Sequence, residues 1–249
     1  MHARFYAPDA HAAGDLVPLP DDEAEHLTRA LRLKRGDPIV VINGRGRAFE
    51  ATVQSARKGG AEVLIGRPWT AAPEARVAIT LVQAALKGDK MDDVVRDAVM
   101  IGVAAIQPIV TARSEISLSS LARGRRRERW ERIAVSSAKQ CGRAVVPIVF
   151  PPEPFEAVAA FADERQLPDP MLMLVEPGAA TGMAALGELE GQPPREASLL
   201  IGPEGGWTPG EIASASERCR LVTLGGRTIR GDAMALVAVA ALFAKWGEY

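Results

Sequence analysis

The segment Leu199-Leu200-Ile201-Gly202-Pro203-Glu204-Gly205-Gly206 predicts a buried strand that ends in a glycine-rich loop. Thr208, Pro209 and Glu211 follow the loop directly. Their spacing predicts a helix with a capping box and with proline at its first position. The segment therefore reads as strand, loop and helix, an order typical of α/β folds.

A second strand end of the same kind lies closer to the C-terminus. The apolar run 221–224 is interrupted by Gly225-Gly226-Arg227-Thr228-Ile229-Arg230, and an apolar helix is predicted over 232–246. Two glycine-broken strand ends so near each other in the chain predict a small-molecule site built mainly from backbone atoms.

Strands and helices alternate from about residue 76 onwards. Strands are predicted at 77–86, 104–110, 146–150, 171–176, 197–202 and 220–224, and helices at 90–101, 124–142, 154–165, 208–218 and 232–246. Continuous apolar strands separated by helices are typical of a mostly parallel sheet covered on both faces. The first 70 residues instead predict a small β-barrel, with a hairpin that turns at Asn43-Gly44.

The composition is that of a globular protein. The chain has 249 residues, of which 47% are hydrophobic and 24% charged, so it is long enough for one large or two smaller domains. We expect no membrane span and no signal peptide, because no apolar run has the required length. Cys141 and Cys219 make no disulfide framework, so both are expected to be packing thiols of a cytoplasmic protein.

The net charge of −1 conceals a basic segment. Residues 113–143 carry nine Lys/Arg and three Glu, whereas residues 151–218 carry three Arg and twelve Asp/Glu. On the helix predicted over 124–142, Trp130 lies in an apolar stripe that is expected to be buried. The opposite face collects five cations, which are Arg125, Arg129, Arg132, Lys139 and Arg143. This surplus favours a surface for a polyanion over a merely solvated helix face.

Other chemistries find little support in the residues. The three histidines all lie within the first 26 residues, so neither a metal site nor a Ser-His-Asp triad can be assembled in the α/β half. Lys87 and Lys90 flank Gly88-Asp89 at the end of a predicted strand, where they either meet a phosphate or cap and solvate a turn. Glu204 either accepts hydrogen bonds from loop amides or takes part in catalysis, and Asp92 is expected to be solvated.

Several motifs extend the pattern over nearly the whole chain. They are LKGDKMD (86–92), IGV (101–103), QCGR (140–143), LLIGPEGG (199–206) and LGGRTIR (224–230), preceded by His26-x-x-Arg29-x-Leu31-Arg32 with Gly36. In these motifs the sequence resembles the SPOUT methyltransferases, in particular the 16S ribosomal RNA (uracil-N(3)) methyltransferases. The resemblance implies an N-terminal PUA-like β-barrel at 1–70 and a C-terminal SPOUT α/β knot (trefoil) methyltransferase domain at 76–249.

The resemblance also implies a cofactor, a substrate and a site. The cofactor would be S-adenosylmethionine, the substrate a uridine in the 16S rRNA of the small ribosomal subunit, and the protein a homodimer without metal. The implied cofactor contacts are Leu174, Val175, Glu176, Ile201, Gly202, Glu204, Gly205, Gly206, Leu224, Gly225 and Ile229. We expect Arg230 to stabilise negative charge on the uracil, while Asp232 or Glu204 accepts its imino proton. RNA contacts are expected from the basic helix face together with Arg29, Arg32, Lys87 and Lys90.

Three places depart from the family pattern. Met100 and Ala112 stand where the family usually has glutamate, and Gly231-Asp232 stands where it usually has Thr/Ala-Glu. Two alternatives therefore stay open. A non-catalytic RNA-binding assembly factor would keep the fold without the reaction. A nucleotide-binding α/β enzyme would hold phosphate at the helix N-terminus after Gly206, although Glu204 and the absence of a lysine from that loop disfavour it.

Overall fold

The structure is a computed structural model that describes residues 3–57, 59–159 and 167–248. The chain forms two compact units. The first comprises Met1–Glu74 with Val135–Val146, and the second comprises Ala75–Ala134 with Pro147–Tyr249. Each unit contains its own cluster of buried apolar side chains. In the described ranges no helix combines the length and the apolar character that crossing a membrane requires.

The first unit is built on a mixed sheet. Its described strands run in the order β1-β3-β4-β5-β2, and they are β1 (Arg4–Tyr6), β2 (Leu16–Pro18), β3 (Pro38–Ile42), β4 (Ala48–Arg57) and β5 (Gly60–Pro68). β1 pairs with β3 in parallel, and the other pairs are antiparallel. Helix α1 (Asp21–Glu25) continues into a π-helical turn (His26–Ala30), whose Leu27 packs into the core of the sheet.

The hairpin between β3 and β4 confirms the turn predicted at Asn43-Gly44. Ile42 pairs with Ala48, and the backbone N–H of Asn43 donates to the carbonyl oxygen of Arg47 at 3.0 Å. Gly44 has a φ of +77°, and a Cβ there would lie 2.8 Å from a ring carbon of Tyr6. Only glycine fits this position without strain.

The second unit contains a parallel sheet, as the alternating pattern predicts. Among the described residues its order is β11-β13-β10-β12-β6-β7-β8, with β9 also against β7, and every pair is parallel. The strands are β6 (Ala78–Ala84), β7 (Ala105–Val110), β8 (Ile148–Val149), β9 (Glu153–Pro154), β10 (Met171–Leu174), β11 (Ala184–Ala185), β12 (Glu196–Ile201) and β13 (Arg220–Thr223).

A 3-10 helix (Leu186–Glu188) follows β11. The remaining α-helices of the described residues follow the predicted order with one addition. They are α2 (Lys90–Ile101), α3 (Leu118–Arg123), α4 (Arg126–Cys141), α5 (Phe155–Ala159), α6 (Pro209–Ser216) and α7 (Gly231–Lys245). The sequence patterns do not predict α3, which begins after Ser117, whose side chain accepts a hydrogen bond from the Ser120 N–H. Arg125, with a φ of +45°, separates α3 from α4.

Two predicted elements differ from the structure in length. The strand predicted over 146–150 is reduced to β8, because Pro147 has no N–H with which to pair. The helix predicted over 154–165 is described as α5, and residues 160–166 lie outside the described residues.

Candidate active site

Three adjacent strands of the second unit end around one cavity. β13, β10 and β12 are neighbours in the sheet, and the segments that follow them line a space of about 310 Å³. This volume is at the lower end of the range for small-molecule sites, which is roughly 300–1,000 Å³. The C-terminal ends of parallel strands are also the edge at which α/β sheets bind their ligands.

Most of the predicted cofactor and catalytic residues line this cavity. They are Leu174, Val175, Glu176, Ile201, Gly202, Glu204, Gly206, Ile229, Arg230 and Asp232. Lys90, which is expected to contact RNA, lines it as well. Gly205, Leu224 and Gly225 were predicted as cofactor contacts, but they are not among the lining residues. Five lining residues are not predicted from the sequence, namely Pro203, Trp207, Thr228, Gly231 and Met234. Four of them lie within or directly beside the quoted motifs, so the motifs contained a signal for them.

Trp207 connects two of the loops. Its indole Nε1–H donates to the carbonyl oxygen of Leu174 at 2.8 Å, and its ring packs against Phe155 with centroids 5.4 Å apart. The ring also lies against Gly202, where a Cβ would come within 3.0 Å of Nε1 and Cε2. The loop after β12 is thus held to the end of β10 by a buried aromatic side chain.

Helix α6 begins with the predicted capping box. The Thr208 hydroxyl accepts from the Glu211 N–H at 3.2 Å, and Glu211 Oε2 accepts from the Thr208 N–H at 2.8 Å. Glu211 Oε1 also accepts from the backbone N–H of Ala112 at 2.9 Å. Because this contact uses the backbone of Ala112, it does not depend on the side chain at position 112.

Arg113 is a supporting residue that the sequence analysis did not single out. Its Nη1 donates to the carbonyl oxygens of Gly205 at 3.0 Å and of Trp207 at 3.1 Å. Glu211 and Arg113 together connect the segment after β7 to both sides of the glycine loop.

Lys90 and Glu204 form an ion pair at the cavity wall, with Nζ and Oε1 2.8 Å apart. Burial alone raises the pKa of the Glu204 carboxyl. Hydrogen bonds from the Lys90 ammonium and from backbone amides outweigh burial, so the pKa is lower than its ordinary value. Glu204 is therefore a carboxylate at neutral pH. The Lys90 ammonium is paired with it, and 41% of the Lys90 side chain is exposed.

Arg230 and Asp232 form a bidentate pair at the start of α7. Nε donates to Oδ1 at 3.0 Å and Nη2 to Oδ2 at 2.6 Å. The hydrogen bonds from Arg230 lower the pKa of Asp232. The Arg230 side chain is 78% exposed, whereas Asp232 is 24% exposed, so the carboxylate orients a guanidinium that stays accessible.

The basic helix face is smaller than the helical wheel predicts. Arg143 lies beyond the end of α4 and is 3% exposed, where it pairs with Glu74. The expectation that it belongs to an exposed face is wrong, because the chain leaves the helix at Cys141 and turns the side chain inward. Lys139 is largely buried against Glu23.

Arg129 is also engaged. It lies 2.5 Å from Asp92 Oδ2, and Trp130 donates to the other carboxylate oxygen at 3.1 Å. Asp92 is 8% exposed, which corrects the expectation that it is solvated. Arg125 and Arg132 stay exposed on the second unit.

Three further predicted cations are exposed. Arg29 forms an ion pair with Glu25 one helical turn before it, and Lys87 lies 2.7 Å from Glu115. Arg32 has a φ of +54°, in the left-handed region. Within the described ranges no group of three or more His, Cys, Asp or Glu side chains could hold a metal ion.

The chain has clear relatives among known sequences. A family model for an RNA methyltransferase domain matches residues 73–243, and one for an RNA methyltransferase PUA domain matches residues 19–66. Ribosomal RNA small subunit methyltransferase E of Synechocystis sp. is 29% identical, over 90% of this chain and 71% of that protein. The protein of the same name from Bacillus subtilis is 27% identical, over 89% of this chain and 87% of its own length.

Solved structures resemble the whole chain. One is the crystal structure of a Ribosomal RNA small subunit methyltransferase E from Neisseria gonorrhoeae bound to S-adenosyl methionine. Its sequence is 32% identical to this chain, and the TM-score is 0.86. The match covers 99% of this chain and 98% of the Neisseria chain. A Legionella pneumophila structure in complex with the cofactor SAM is 26% identical with a TM-score of 0.87, and 98% of each chain is covered. Because the methyltransferase model spans well over half of the sequence, this chain belongs to the RNA methyltransferase family.

Proposed function

We propose that this protein transfers a methyl group from S-adenosylmethionine to N3 of a uridine in the 16S rRNA of the small ribosomal subunit. The observation that carries the proposal is the cavity at the ends of β13, β10 and β12. It is built from the two glycine-containing motifs on which the family resemblance depends. The fold around it matches that of the Neisseria relative, whose structure holds the cofactor.

The lining residues suit this cofactor. A Cβ at Gly206 would lie 3.2 Å from Glu176 Oε1, and one at Gly202 would meet the Trp207 ring, so backbone forms this part of the wall. Backbone groups can hydrogen-bond the edge of an adenine, and the apolar side chains of Leu174 and Ile229 can cover its faces. When bound, S-adenosylmethionine supplies a methyl group activated by its sulfonium.

In this proposal Arg230 stabilises charge on the target base. Asp232 holds Nε and Nη2, and Nη1 makes no hydrogen bond to the part of the chain that the structure describes. Nη1 can therefore donate to a uracil carbonyl oxygen. Loss of the N3 proton spreads negative charge onto both carbonyl oxygens, where a pre-oriented cation is effective. Asp232 or Glu204 accepts the proton, and the lowered pKa of each keeps it ionised.

RNA binding is proposed for both parts of the chain. Residues 1–70 would form a PUA-like RNA-binding barrel, and residues 76–249 a trefoil-knotted methyltransferase domain. The exposed cations Arg29, Arg32, Arg125 and Arg132 would contact phosphates, since this type of contact positions a protein on RNA. A ribosomal RNA substrate also implies a cytoplasmic location.

The proposal includes a homodimer, which helix α7 supports. Ala233, Leu236, Val237 and Ala244 lie on its exposed side, and Leu236 and Val237 are 38% and 40% exposed. A second copy of the chain would cover this apolar surface in a symmetric interface. Sedimentation of the purified protein tests the dimer.

Methyl transfer itself is tested with small ribosomal subunits from cells that lack this protein. We expect wild-type protein with labelled S-adenosylmethionine to produce N3-methyluridine, detected by mass spectrometry of rRNA nucleosides. Arg230→Ala should lower the single-turnover rate about 100-fold or more, as loss of a charge-stabilising donor does elsewhere. Arg227→Ala is the matched control, because Arg227 is exposed in the same loop but does not line the cavity.

Two results would contradict these assignments. If the Arg230→Ala variant transferred the methyl group at the wild-type rate, with saturating cofactor and RNA, Arg230 would have no role in the mechanism. Saturable binding of S-adenosylmethionine without any methylated nucleoside would favour a non-catalytic assembly factor.

A further inference from the structure

The positive and negative charges on the side chains that line the cavity do not sum to zero. Five charged residues line it, which are Lys90, Glu176, Glu204, Arg230 and Asp232. Four of them form two ion pairs, Lys90 with Glu204 at 2.8 Å and Arg230 with Asp232 at 2.6 Å. Glu176 makes no side-chain hydrogen bond or ion pair with any residue that the structure describes. The lining therefore carries one uncompensated negative charge.

Glu176 lines the cavity at an exposed position. It lies two residues after the end of β10, next to the buried Val175. Its carboxylate lies against Gly206, because a Cβ on Gly206 would be 3.2 Å from Oε1. The N–H of Gly206 donates to the carbonyl oxygen of Pro203 at 3.0 Å, so it does not compensate the charge of Glu176.

We infer that Glu176 recognises positive charge on the methyl donor. This inference rests on the proposed function, since it concerns the same cavity. S-adenosylmethionine carries a sulfonium and an α-ammonium against one carboxylate, so its net charge of about +1 complements the surplus of −1 at the lining. An exposed carboxylate without a protein partner can pair with a ligand cation in place of water, and this charge complementarity favours a cationic ligand over a neutral one.

The consequence is discrimination between charged and neutral forms of the ligand. Glu176→Gln keeps the size of the side chain and removes its charge. We expect the variant to bind S-adenosylmethionine about tenfold or more weakly, the scale of one charge-assisted hydrogen bond. It should bind 5′-methylthioadenosine, which lacks both the sulfonium and the ammonium, with wild-type affinity.

Isothermal titration calorimetry with three ligands tests the inference. S-adenosylhomocysteine keeps the ammonium and lacks the sulfonium, so an equal loss for it places Glu176 at the ammonium, whereas a loss confined to S-adenosylmethionine places it at the sulfonium. Either result supports recognition of a cation. Glu217→Gln is the matched control, since Glu217 is an exposed acid at the end of α6 and does not line the cavity.

Other outcomes would overturn the inference. Unchanged affinity of Glu176→Gln for S-adenosylmethionine would do so, and so would an equal loss for S-adenosylmethionine and 5′-methylthioadenosine, because that loss would reflect the adenosine part or the shape of the cavity. The thermal midpoint of the variant shows whether it is folded. Failure of the wild-type protein to bind S-adenosylmethionine would instead contradict the proposed function, so the two failures are distinguishable.

Discussion

Gly202→Ala should disturb the cavity through a single steric contact. Gly202 lines the cavity, and an added Cβ would lie 3.0 Å from Nε1 and Cε2 of Trp207 and 3.3 Å from Cδ2. Carbon atoms in comfortable contact are about 3.5–4.0 Å apart, so the ring must shift by a few tenths of an ångström to make room. Trp207 is 7% exposed and is held by its hydrogen bond to Leu174 and by Phe155.

The size of the effect follows from these restraints. Adding a methyl group to a well-packed site costs about 1–3 kcal/mol. If the indole moves away from Leu174, the lost hydrogen bond accounts for about 0.5–1.5 kcal/mol of that cost. In a chain of this size a loss of about 2 kcal/mol lowers Tm by roughly 4–8 °C. The affinity for S-adenosylmethionine should fall as well, because the displaced ring is part of the cavity wall.

Thermal unfolding and calorimetric titration measure the two effects. Gly226→Ala is the control, since Gly226 lies in the loop after β13 and its Cβ would meet nothing within 4 Å. The contact itself is tested in a double-mutant cycle with Trp207→Phe, because the smaller ring leaves room for the new methyl group at position 202 and the combined cost should be less than the sum. Strict additivity, or a Gly202→Ala protein as stable as the Gly226→Ala control, would refute the reasoning.

Three other positions give measurable expectations. Gly231→Ala should raise the free energy of unfolding by about 0.4–1 kcal/mol in urea titrations, because the new Cβ would meet its nearest atom at 3.5 Å in the first turn of α7 and the unfolded chain loses freedom; a lower stability would show that the site needs glycine. Burial raises the pKa of the Cys219 thiol to about 11. Iodoacetamide at pH 8 should therefore label Cys141 before Cys219. Equal labelling of the two cysteines, measured by mass spectrometry, would contradict this expectation. Arg125→Gly should leave Tm unchanged or higher, because a φ of +45° suits glycine, while the salt dependence of RNA binding loses about 0.7–0.9 from its log–log slope; an unchanged slope would exclude a phosphate contact.

Local features of the structure could be predicted from the sequence because they depend on neighbours in the chain. The capping box of Thr208 and Glu211 and the hairpin at Asn43-Gly44 each lie within a few residues and recur in the structure. The alternation of apolar strands with helices likewise predicts the parallel sheet, since burial on both faces demands apolar residues throughout a strand.

Partnership between distant residues could not be predicted in this way. The helical wheel places Arg143 on an exposed face, but Glu74, 69 residues away, pairs with it in a buried position. The same limit applies to the ion pair of Lys90 with Glu204, which joins residues 114 positions apart and which no local pattern predicts.

Local patterns in the chain therefore specify which segments are strands and helices and where glycine interrupts them. The three-dimensional fold adds that β10 lies between β13 and β12, which brings three separate loops around one cavity. It also sets which charges at that cavity are paired, and it leaves Glu176 without a partner among the described residues. The reason is physical: periodicity and turn preference act over a few residues, whereas strand order and ion pairing are settled by packing among residues far apart in the chain.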